Sequence, residues 1–134
     1  MSESERESIG TAFQRSLGLR WERGGSEKAV AVVMDMRDDL RGPAGSLEGG
    51  VVSTIADVAG ASACAMSVGA LVATQHIAIS FLAPGRVGPI HAEGVVLRTG
   101  RDDAVAEVRV TDQGNEDRLM AVALVTVRVL RDRS

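Results

Sequence analysis

The chain has 134 residues, a net charge of −3 and 45% hydrophobic residues, which indicates one ordinary globular domain over residues 1–134. The acidic balance and an aromatic content of 2% argue against nucleic-acid binding, which needs basic surface and often aromatic stacking. A single cysteine excludes an intrachain disulfide and suits a reducing compartment, and the N-terminus lacks the apolar segment of a secretory signal. We therefore expect a cytoplasmic protein.

The first third of the chain predicts a helix and two strands. Within the N-terminal segment, residues 1–17, apolar residues at helical spacing predict a short amphipathic helix over Glu3–Leu17. Strands are expected at Leu19–Arg23 and at the valine-rich Lys28–Met36, separated by a glycine turn. The polar segment Arg37–Ser46 contains Gly and Pro and is expected to be a loop.

A long apolar helix is predicted next, from Gly49 to about Val68. It is apolar on all sides, and such a helix is normally buried inside a domain. The apolar stretch Val51–Val72 has the length of a membrane span, but an Asp and several Ser, Thr and Gly residues dilute it. We therefore expect a buried core helix and no membrane partner.

Four strand-like segments follow the helix: Thr74–Leu82, Ile90–Leu97, Ala104–Asp112 and Arg118–Leu130. Their alternation of apolar and polar residues predicts an antiparallel sheet with one buried face. One long helix wrapped by consecutive antiparallel strands gives an α+β fold. One sheet of this size cannot cover a helix that is apolar on all sides, so dimerisation over the helix or along a sheet edge is expected.

Asp57 is the one carboxylate on the long helix. A charge in such a helix is costly unless something uses it. Its neighbours on the same face, at three and four residues, are the small or hydroxylated Ser53, Thr54, Gly60 and Ala61. They leave room for a substrate beside the carboxylate. The alternative is a structural Asp held by Ser53, Thr54 or a partner chain.

Gly49 and Gly50 open the same helix. The first N–H groups of a helix have no partner within it, so with the helix dipole they can stabilise negative charge on an oxygen. Glycine also lets a substrate carbonyl approach the backbone closely. A helix end that polarises a carbonyl, together with a carboxylate, suits attack on an acyl group.

The runs LEGGVVSTIADVAG, ATQHIAISFLAPGRVG, AEGVVLRTGRDDAVAEVRV and LMAVALVTVRV resemble the hotdog-fold acyl-CoA thioesterases, over about Leu19 to Leu130. The branch that they resemble most is that of the phenylacetic-acid-degradation thioesterases (PaaI-like). The resemblance implies a hotdog fold, an antiparallel sheet around one long central helix, and hydrolysis of an acyl-CoA substrate without a cofactor or metal. It also implies a homo-oligomer, a dimer or commonly a tetramer, with the site at the subunit interface.

In that family the helix begins with His-Gly-Gly, and an Asp nine residues after the His activates water or attacks the thioester. Asp57 matches this Asp, and Gly49 and Gly50 match the glycines. The resemblance assigns carbonyl polarisation to the N–H of Gly50 and placement of water to Thr74, where members carry Ser or Thr. Asp57 is thus expected to face the Gly49-Gly50 end of the partner's helix.

Two positions depart from the family pattern. Glu48 stands where members have the His, and Gly42 stands where they often have an Asn. Glu48, Gly49 and Ser53 are expected beside the substrate. A carboxylate at a helix N-terminus is also favourable in itself, which is the structural alternative for Glu48.

Three arginines are candidates for binding the phosphates of coenzyme A: Arg86 in the Pro-Gly-Arg-Val-Gly turn, and Arg98 and Arg101 on either side of Gly100. Their positions resemble the CoA-contacting loops of the family. The alternative for each is a solvated arginine in a surface turn.

Other kinds of site find little support in the sequence. His76 and His91 have no Cys or carboxylate at metal-binding spacing, and Cys64 is expected to pack as a small hydrophobic residue. No phosphate-binding loop or dinucleotide motif occurs. Two functions compete with hydrolysis: a non-catalytic protein that binds acyl-CoA or another ligand, and a hotdog lyase or isomerase that acts on a thioester.

Overall fold

The computed structural model describes residues 10–131. These residues form two α-helices and six strands, which are α1 (Ala12–Ser16), β1 (Arg20–Arg23), β2 (Ala29–Met34), α2 (Gly49–Val68), β3 (Leu71–Phe81), β4 (Ile90–Thr99), β5 (Asp103–Asp112) and β6 (Arg118–Leu130). A single 3-10 turn, Asp38–Leu40, lies in the loop before α2. The strands make one antiparallel sheet in the order β1-β2-β4-β5-β6-β3. This is the predicted α+β hotdog arrangement.

The long helix α2 occupies the residues that the sequence predicts. It ends because Gly69 adopts a left-handed conformation with φ of 66°, and the N–H of Gly69 donates to the carbonyl of Ala65. The helix backbone lies directly on the sheet, since a Cβ placed on Gly94 of β4 would be 2.6 Å from the carbonyl oxygen of Ala59. Glycine at residue 94 is therefore required for this close approach.

The core lies between α2 and the inner face of the sheet. One side of α2 is buried there, including Val52, Ile55, Ala59 and Ala63. Alternate residues of the strands cover them; on β5 these are Ala104, Ala106, Val108 and Val110, which are fully buried. Although α2 has the length and hydropathy of a membrane span, its contacts make it the core helix of the domain.

The opposite side of α2 is only partly covered by residues 10–131. Val51, Asp57 and Ala61 there are half-buried. The expectation that one sheet leaves part of this helix uncovered therefore agrees with the structure.

Among the strands of residues 10–131, β3 is an edge strand that pairs with β6 alone. Its sequence, Leu71–Phe81, contains no Asp, Glu, Lys or Arg, and most of its residues are exposed, Leu71 and Phe81 by 59% and 55%. Exposed sheet edges of this kind readily pair with another chain unless charges or bulges protect them. A bulge at Gln75 interrupts the register between Thr74 and His76 but leaves long paired segments on both sides.

The expectation for the N-terminal helix needs correction. The described part begins with Gly10 at φ of 101°, and Thr11 caps a helix that starts only at Ala12. A continuous helix over Glu3–Leu17 is wrong, because Gly10 and the extended Thr11 cannot be helical residues. Residues 1–9 lie outside the described part. Several strand bounds also shift, most of all that of β3, which begins at Leu71.

Candidate active site

Asp57 lies at the middle of α2, and its carboxylate faces the edge strand β3. The Thr74 hydroxyl donates a hydrogen bond of 2.6 Å to Oδ1 of Asp57. Thr74 pairs with Val127 of β6, whose side chain is in the core, so Thr74 also points to the inner face of the sheet. The structure thus joins the carboxylate and the hydroxyl that the sequence analysis selected separately.

The neighbouring hydroxyls on α2 do not hold Asp57. Ser53 donates to the carbonyl of Gly49, and Thr54 donates to the carbonyl of Gly50, each at 2.9 Å. Both bonds follow the common helical pattern in which Ser or Thr binds the carbonyl four residues earlier. Among residues 10–131, the Asp57 side chain therefore accepts one hydrogen bond, from Thr74, and no donor binds its second carboxylate oxygen.

The N-terminus of α2 presents two free backbone donors. The carbonyl of Glu48 accepts from Val51 and Val52, while no acceptor within residues 10–131 binds the N–H of Gly49 or Gly50. A Cβ at Gly50 would meet no atom within 4 Å, and one at Gly49 would lie 3.7 Å from the Phe81 ring. This helix end is therefore open, with the geometry that carbonyl polarisation requires.

Asp57 and the Gly50 N–H are far apart within one chain. Seven residues separate them on one helix, which corresponds to about 10 Å along its axis. A substrate carbonyl that accepts from the Gly50 N–H cannot also lie beside Asp57 of the same helix. The two groups that the sequence predicts for one site therefore lie at different places within one chain.

Glu48 is the N-cap residue of α2, but its side chain makes no capping hydrogen bond. It is exposed, and its Cβ and Cγ lie 3.9 Å from the position that a Cβ at Gly42 would take. Residues 42 and 48, the two departures from the family pattern, are thus neighbours. Their position beside Gly49 places Glu48 next to the free N–H groups.

The three candidate arginines do not lie together. Arg86 lies in the loop between β3 and β4, where the carbonyl of Gly85 accepts from the N–H of Leu47, just before α2. Arg98 and Arg101 lie at the turn between β4 and β5. The two ends of β4 are roughly 25–30 Å apart at the usual strand rise. Arg98 pairs with Asp103 at 3.2 Å, and the Arg101 carbonyl accepts from Arg131. Within residues 10–131, the guanidinium of Arg86 forms no ion pair.

Strand pairing places the β4–β5 turn at the same end of the sheet as Thr74, and therefore at the same end as Asp57. Thr74 is paired with Val127, Val127 with Ala104, and Ala104 with Thr99. The domain thus has two regions that we name by their groups. The carboxylate end contains Asp57, Thr74 and the Arg98–Arg101 turn, and the N–H end contains Gly49, Gly50 and Arg86.

A cleft of about 360 Å³ lies at the N–H end, beside Gly49. Its walls include Leu47, Val52, Phe81, Pro84 and Met120. Within the described part of the chain, no charged side chain lines it. Such a cleft suits an uncharged apolar group attached to a carbonyl that reaches the Gly50 N–H.

A wider groove of about 1070 Å³ lies between the C-terminal half of α2 and β1. Its lining includes Trp21, whose indole N–H donates to Ser62 at 3.0 Å, and Met66. None of the predicted site residues lines this groove. It is therefore separate from the candidate site.

Asp112 is a residue that the sequence analysis did not select. It is fully buried, and its carboxylate accepts hydrogen bonds from the backbone N–H of Arg86, Val87 and Gly88 at 2.8, 3.1 and 2.7 Å. Burial raises its pKa, but the three donors outweigh burial, and the pKa of Asp112 lies below its ordinary value. The signal was present, since Asp112 continues the inward series of Val108 and Val110 on β5.

The remaining candidates carry no chemistry. Burial raises the pKa of the Cys64 thiol to about 11, so this thiol stays protonated and packs in the core. Among residues 10–131, no three His, Cys, Asp or Glu side chains come close enough to hold one metal ion.

Comparison with known proteins identifies the family of the chain. The sequence model of the Thioesterase superfamily matches residues 44–118, a range that contains every predicted site residue from Glu48 to Arg101. The chain therefore belongs to the thioesterase superfamily, as the resemblance predicts. This membership supports a thioester hydrolase in general, without specifying the substrate.

Individual relatives extend the similarity over most of the chain. A protein of Saccharolobus solfataricus, named provisionally as an esterase, is 33% identical over 110 residues, which are 80% of this chain and 76% of the relative. The structure of a conserved protein of Pseudomonas aeruginosa is 26% identical, with a TM-score of 0.83 over 93% of this chain and 98% of that one. PaaI of Escherichia coli, from the phenylacetic acid degradation operon, is 23% identical and shares the fold, with a TM-score of 0.82 over 91% and 86% of the two chains.

Proposed function

We propose that this protein hydrolyses an acyl-CoA thioester to the free acid and CoA, in a site that two copies of the chain build together. The proposal depends on one observation: the hydrogen-bonded pair Asp57–Thr74 lies at the carboxylate end of the domain, and the free N–H of Gly50 lies at the N–H end. Each is half of a hydrolytic site, and membership in the thioesterase superfamily supports the reaction class.

The chemistry follows from the two halves. The Gly50 N–H donates to the thioester carbonyl oxygen and stabilises the negative charge that develops on it. Asp57 takes a proton from a water molecule whose oxygen attacks the acyl carbon, and the Thr74 hydroxyl helps to place that water. The carbon–sulfur bond breaks, and the thiolate of CoA receives the proton. Alternatively, the Asp57 carboxylate attacks the acyl carbon itself, and the carbon–sulfur bond breaks to release the CoA thiolate. Water then hydrolyses the resulting mixed anhydride, which releases the acid, restores the Asp57 carboxylate and supplies the proton that the thiolate takes up.

Pairing along β3 joins the two halves. Two copies related by a two-fold axis near the middle of β3 pair antiparallel, so Thr74 of one copy lies beside the Phe81 half of the other strand. Gly49 lies against Phe81 in its own chain. The carboxylate end of each copy therefore meets the N–H end of its partner, and each dimer has two sites.

The dimer also covers surface that one chain leaves open. It removes the exposed, uncharged edge of β3 and brings a partner to the half-buried side of α2. A dimer is the minimal active unit, and association of two dimers gives a tetramer. Sedimentation or light scattering should show one of these states, and a stable monomer at micromolar concentration would contradict the shared site.

The cleft beside Gly49 is the proposed acyl pocket, and the acyl group is thus aliphatic or a small aryl group without charge. A panel of acyl-CoA esters, assayed by release of free thiol, tests the activity directly. Asp57→Asn serves as the inactive variant, and Asp35→Asn is the matched control because Asp35 forms an exposed pair with Arg20, away from the site. Hydrolysis by the wild type that survives in Asp57→Asn would contradict the role of Asp57.

Mixing two inactive variants tests the shared site. Gly50→Val places a side chain where a Cβ meets no neighbouring atom, so the chain should fold while carbonyl access is blocked. When Gly50→Val and Asp57→Asn are dissociated and reassociated together in equal amounts, half of the dimers contain one chain of each variant. In each mixed dimer, one of the two sites has both an intact Asp57 and an intact Gly50. Activity should therefore return to about a quarter of the wild-type value. No recovery despite verified mixed dimers would contradict the shared site.

Glu48 gives the specific reason to keep a second function in view. A carboxylate next to the polarising N–H groups opposes negative charge on the substrate oxygen, and a protein that only binds acyl-CoA needs no such stabilisation. Binding of CoA esters without release of thiol would favour that function. Product analysis distinguishes hydrolysis from a lyase or isomerase reaction. We place the protein in the cytoplasm, where acyl-CoA esters are available and its single cysteine stays reduced.

A further inference from the structure

The loop of residues 85–88 is held from below by one side chain. The carboxylate of Asp112, at the end of β5, accepts three successive backbone N–H groups, two at Oδ2 from Arg86 and Val87 and one at Oδ1 from Gly88. Asp112 is the one buried charged residue among residues 10–131, and the hydrogen bonds that its side chain accepts there all come from this loop. Hydrogen bonds from neutral donors to a buried carboxylate are among the strong ones in proteins.

The same loop is fixed from two further directions. The carbonyl of Gly85 accepts from the N–H of Leu47 at 2.9 Å, and the carbonyl of Arg86 accepts from the guanidinium of Arg41 at 3.2 Å. A Cβ at Gly85 would lie 2.5 Å from Cε of Met120, so the loop backbone packs closely on the core. The backbone of Arg86 thus has little freedom, although the residue is exposed.

This placement puts Arg86 at the rim of the proposed acyl cleft. Gly85, the residue before it, lines that cleft together with Leu47 and Gly49. The Arg86 side chain is exposed and has no ion-pair partner among residues 10–131, in contrast to Arg41 and Arg98. A guanidinium on a rigid backbone loses less conformational freedom when it binds a phosphate.

We propose that Asp112 is the positioning residue for phosphate recognition: it fixes the backbone of residues 86–88 so that Arg86 meets the phosphate groups of the CoA moiety at the rim of the cleft. Asp112 touches neither the acyl group nor the reacting atoms. The inference rests on the proposed function, because it takes the ligand to be CoA.

Binding of two ligands separates this role from a general structural one. CoA carries the phosphates, and pantetheine has the same thiol arm without them. Calorimetric titration should show that Arg86→Ala weakens CoA binding by up to about fivefold, the range of one exposed charge contact. Asp112→Asn should weaken CoA binding by no more than Arg86→Ala does and change pantetheine binding less than about twofold.

The double variant gives the matched control. If Asp112 acts through Arg86, Asp112→Asn should cause no further loss of CoA affinity in the Arg86→Ala background. Equal losses for CoA and pantetheine, or full additivity of the two substitutions, would show that Asp112 only supports the fold. Wild-type protein that binds CoA no better than pantetheine would also overturn the inference. Because these titrations measure binding, a protein that binds CoA without hydrolysing it separates failure of the proposed function from failure of this inference.

Amide hydrogen exchange on the wild type tests the fixed loop without any substitution, and decides the case if Asp112→Asn does not fold. The amides of Arg86, Val87 and Gly88 should exchange at least about tenfold more slowly than that of Ala44, an exposed loop residue, already in the absence of CoA. Equal exchange at the two places would show that Asp112 does not hold the loop, and would overturn the proposal.

Discussion

Asp57 and Asp112 both lie on elements that pack into the core of the domain, but their carboxylates have different surroundings. Asp112 is fully buried and accepts three backbone N–H groups. Asp57 is half-buried and accepts one hydroxyl within the described residues. A carboxylate with all its hydrogen bonds made inside one chain serves the fold, whereas one with acceptor capacity left over can serve a ligand. The five predictions below test this contrast.

The largest effect on activity is expected for Asp57→Asn. The change retains the size of the side chain and removes the base, so acyl-CoA hydrolysis should fall by about 10²–10⁴-fold. The assembly state should not change, and thermal stability should be equal or higher, since neutralising a poorly paired carboxylate costs little. Steady-state assays with thermal unfolding check both parts. Full activity would remove the central residue of the proposed site, and unfolding would favour a structural role for Asp57.

The reverse pattern, a large effect on stability, is expected for Asp112→Asn. The amide cannot accept all three N–H groups, and its own NH₂ meets a donor, so the free energy of unfolding should fall by about 2–4 kcal/mol. The pKa of Asp112 is lower in the folded chain than in the unfolded chain. Its stabilisation is therefore complete above about pH 4 and is lost as the pH falls through the folded value.

Urea unfolding of wild type and Asp112→Asn between pH 7 and pH 3 measures this dependence. The difference between the two midpoints should be constant down to about pH 4 and should narrow below it. A difference that narrows already at neutral pH would mean that another group controls the transition.

A smaller effect is expected for the hydroxyl on Asp57. Thr74→Val keeps the shape of the side chain but removes the donor, and the loss of one hydrogen bond of about 1–1.5 kcal/mol corresponds to roughly fivefold to tenfold in kcat. Thr74→Ser retains the donor and should stay close to wild type. If Ser and Val lose the same activity, the methyl group matters rather than the hydroxyl.

The two arginine sites provide a graded comparison. Arg101→Ala should raise the KM for CoA esters by less than about fivefold and leave kcat unchanged, because an exposed charge contact is weak and adds equally to substrate and transition state. The turn of Arg101 lacks a buried carboxylate like the one beneath Arg86, so its effect should be smaller than that of Arg86→Ala. An unchanged KM in both variants would move the phosphate contacts elsewhere.

Glu48 is expected to show the smallest effect. If its carboxylate points toward the Gly50 N–H of its own helix end, Glu48→Gln or Glu48→His should keep or raise kcat, because a negative charge beside the developing oxyanion is removed. If it points to solvent, both changes should be silent. Gly42→Asn in the Glu48→His background restores both family positions, which are in contact distance here. A large loss of kcat in Glu48→Gln would instead make Glu48 catalytic.

Local sequence pattern was sufficient for the elements whose signals are local. The apolar run with glycines at both ends predicted α2 from Gly49 to Val68, and alternation predicted β5 and the bounds of β6. Spacing along one helix also selected Asp57, Gly49 and Gly50 as one group. The prediction of the N-terminal helix failed because the periodicity of apolar residues carries no information about the backbone conformation of Gly10.

Only the tertiary structure decided which residues meet. The Thr74–Asp57 bond depends on the bulge and register of β3 against β6, and the contact of Asp112 with residues 86–88 joins chain segments 24 to 26 residues apart. The distance of about 10 Å between Gly50 and Asp57 along the helix axis could be calculated from the sequence, because the rise per helical residue is constant. The separation of Arg86 from Arg98 and Arg101 was not, because strand pairing sets the end of the sheet at which each turn lies.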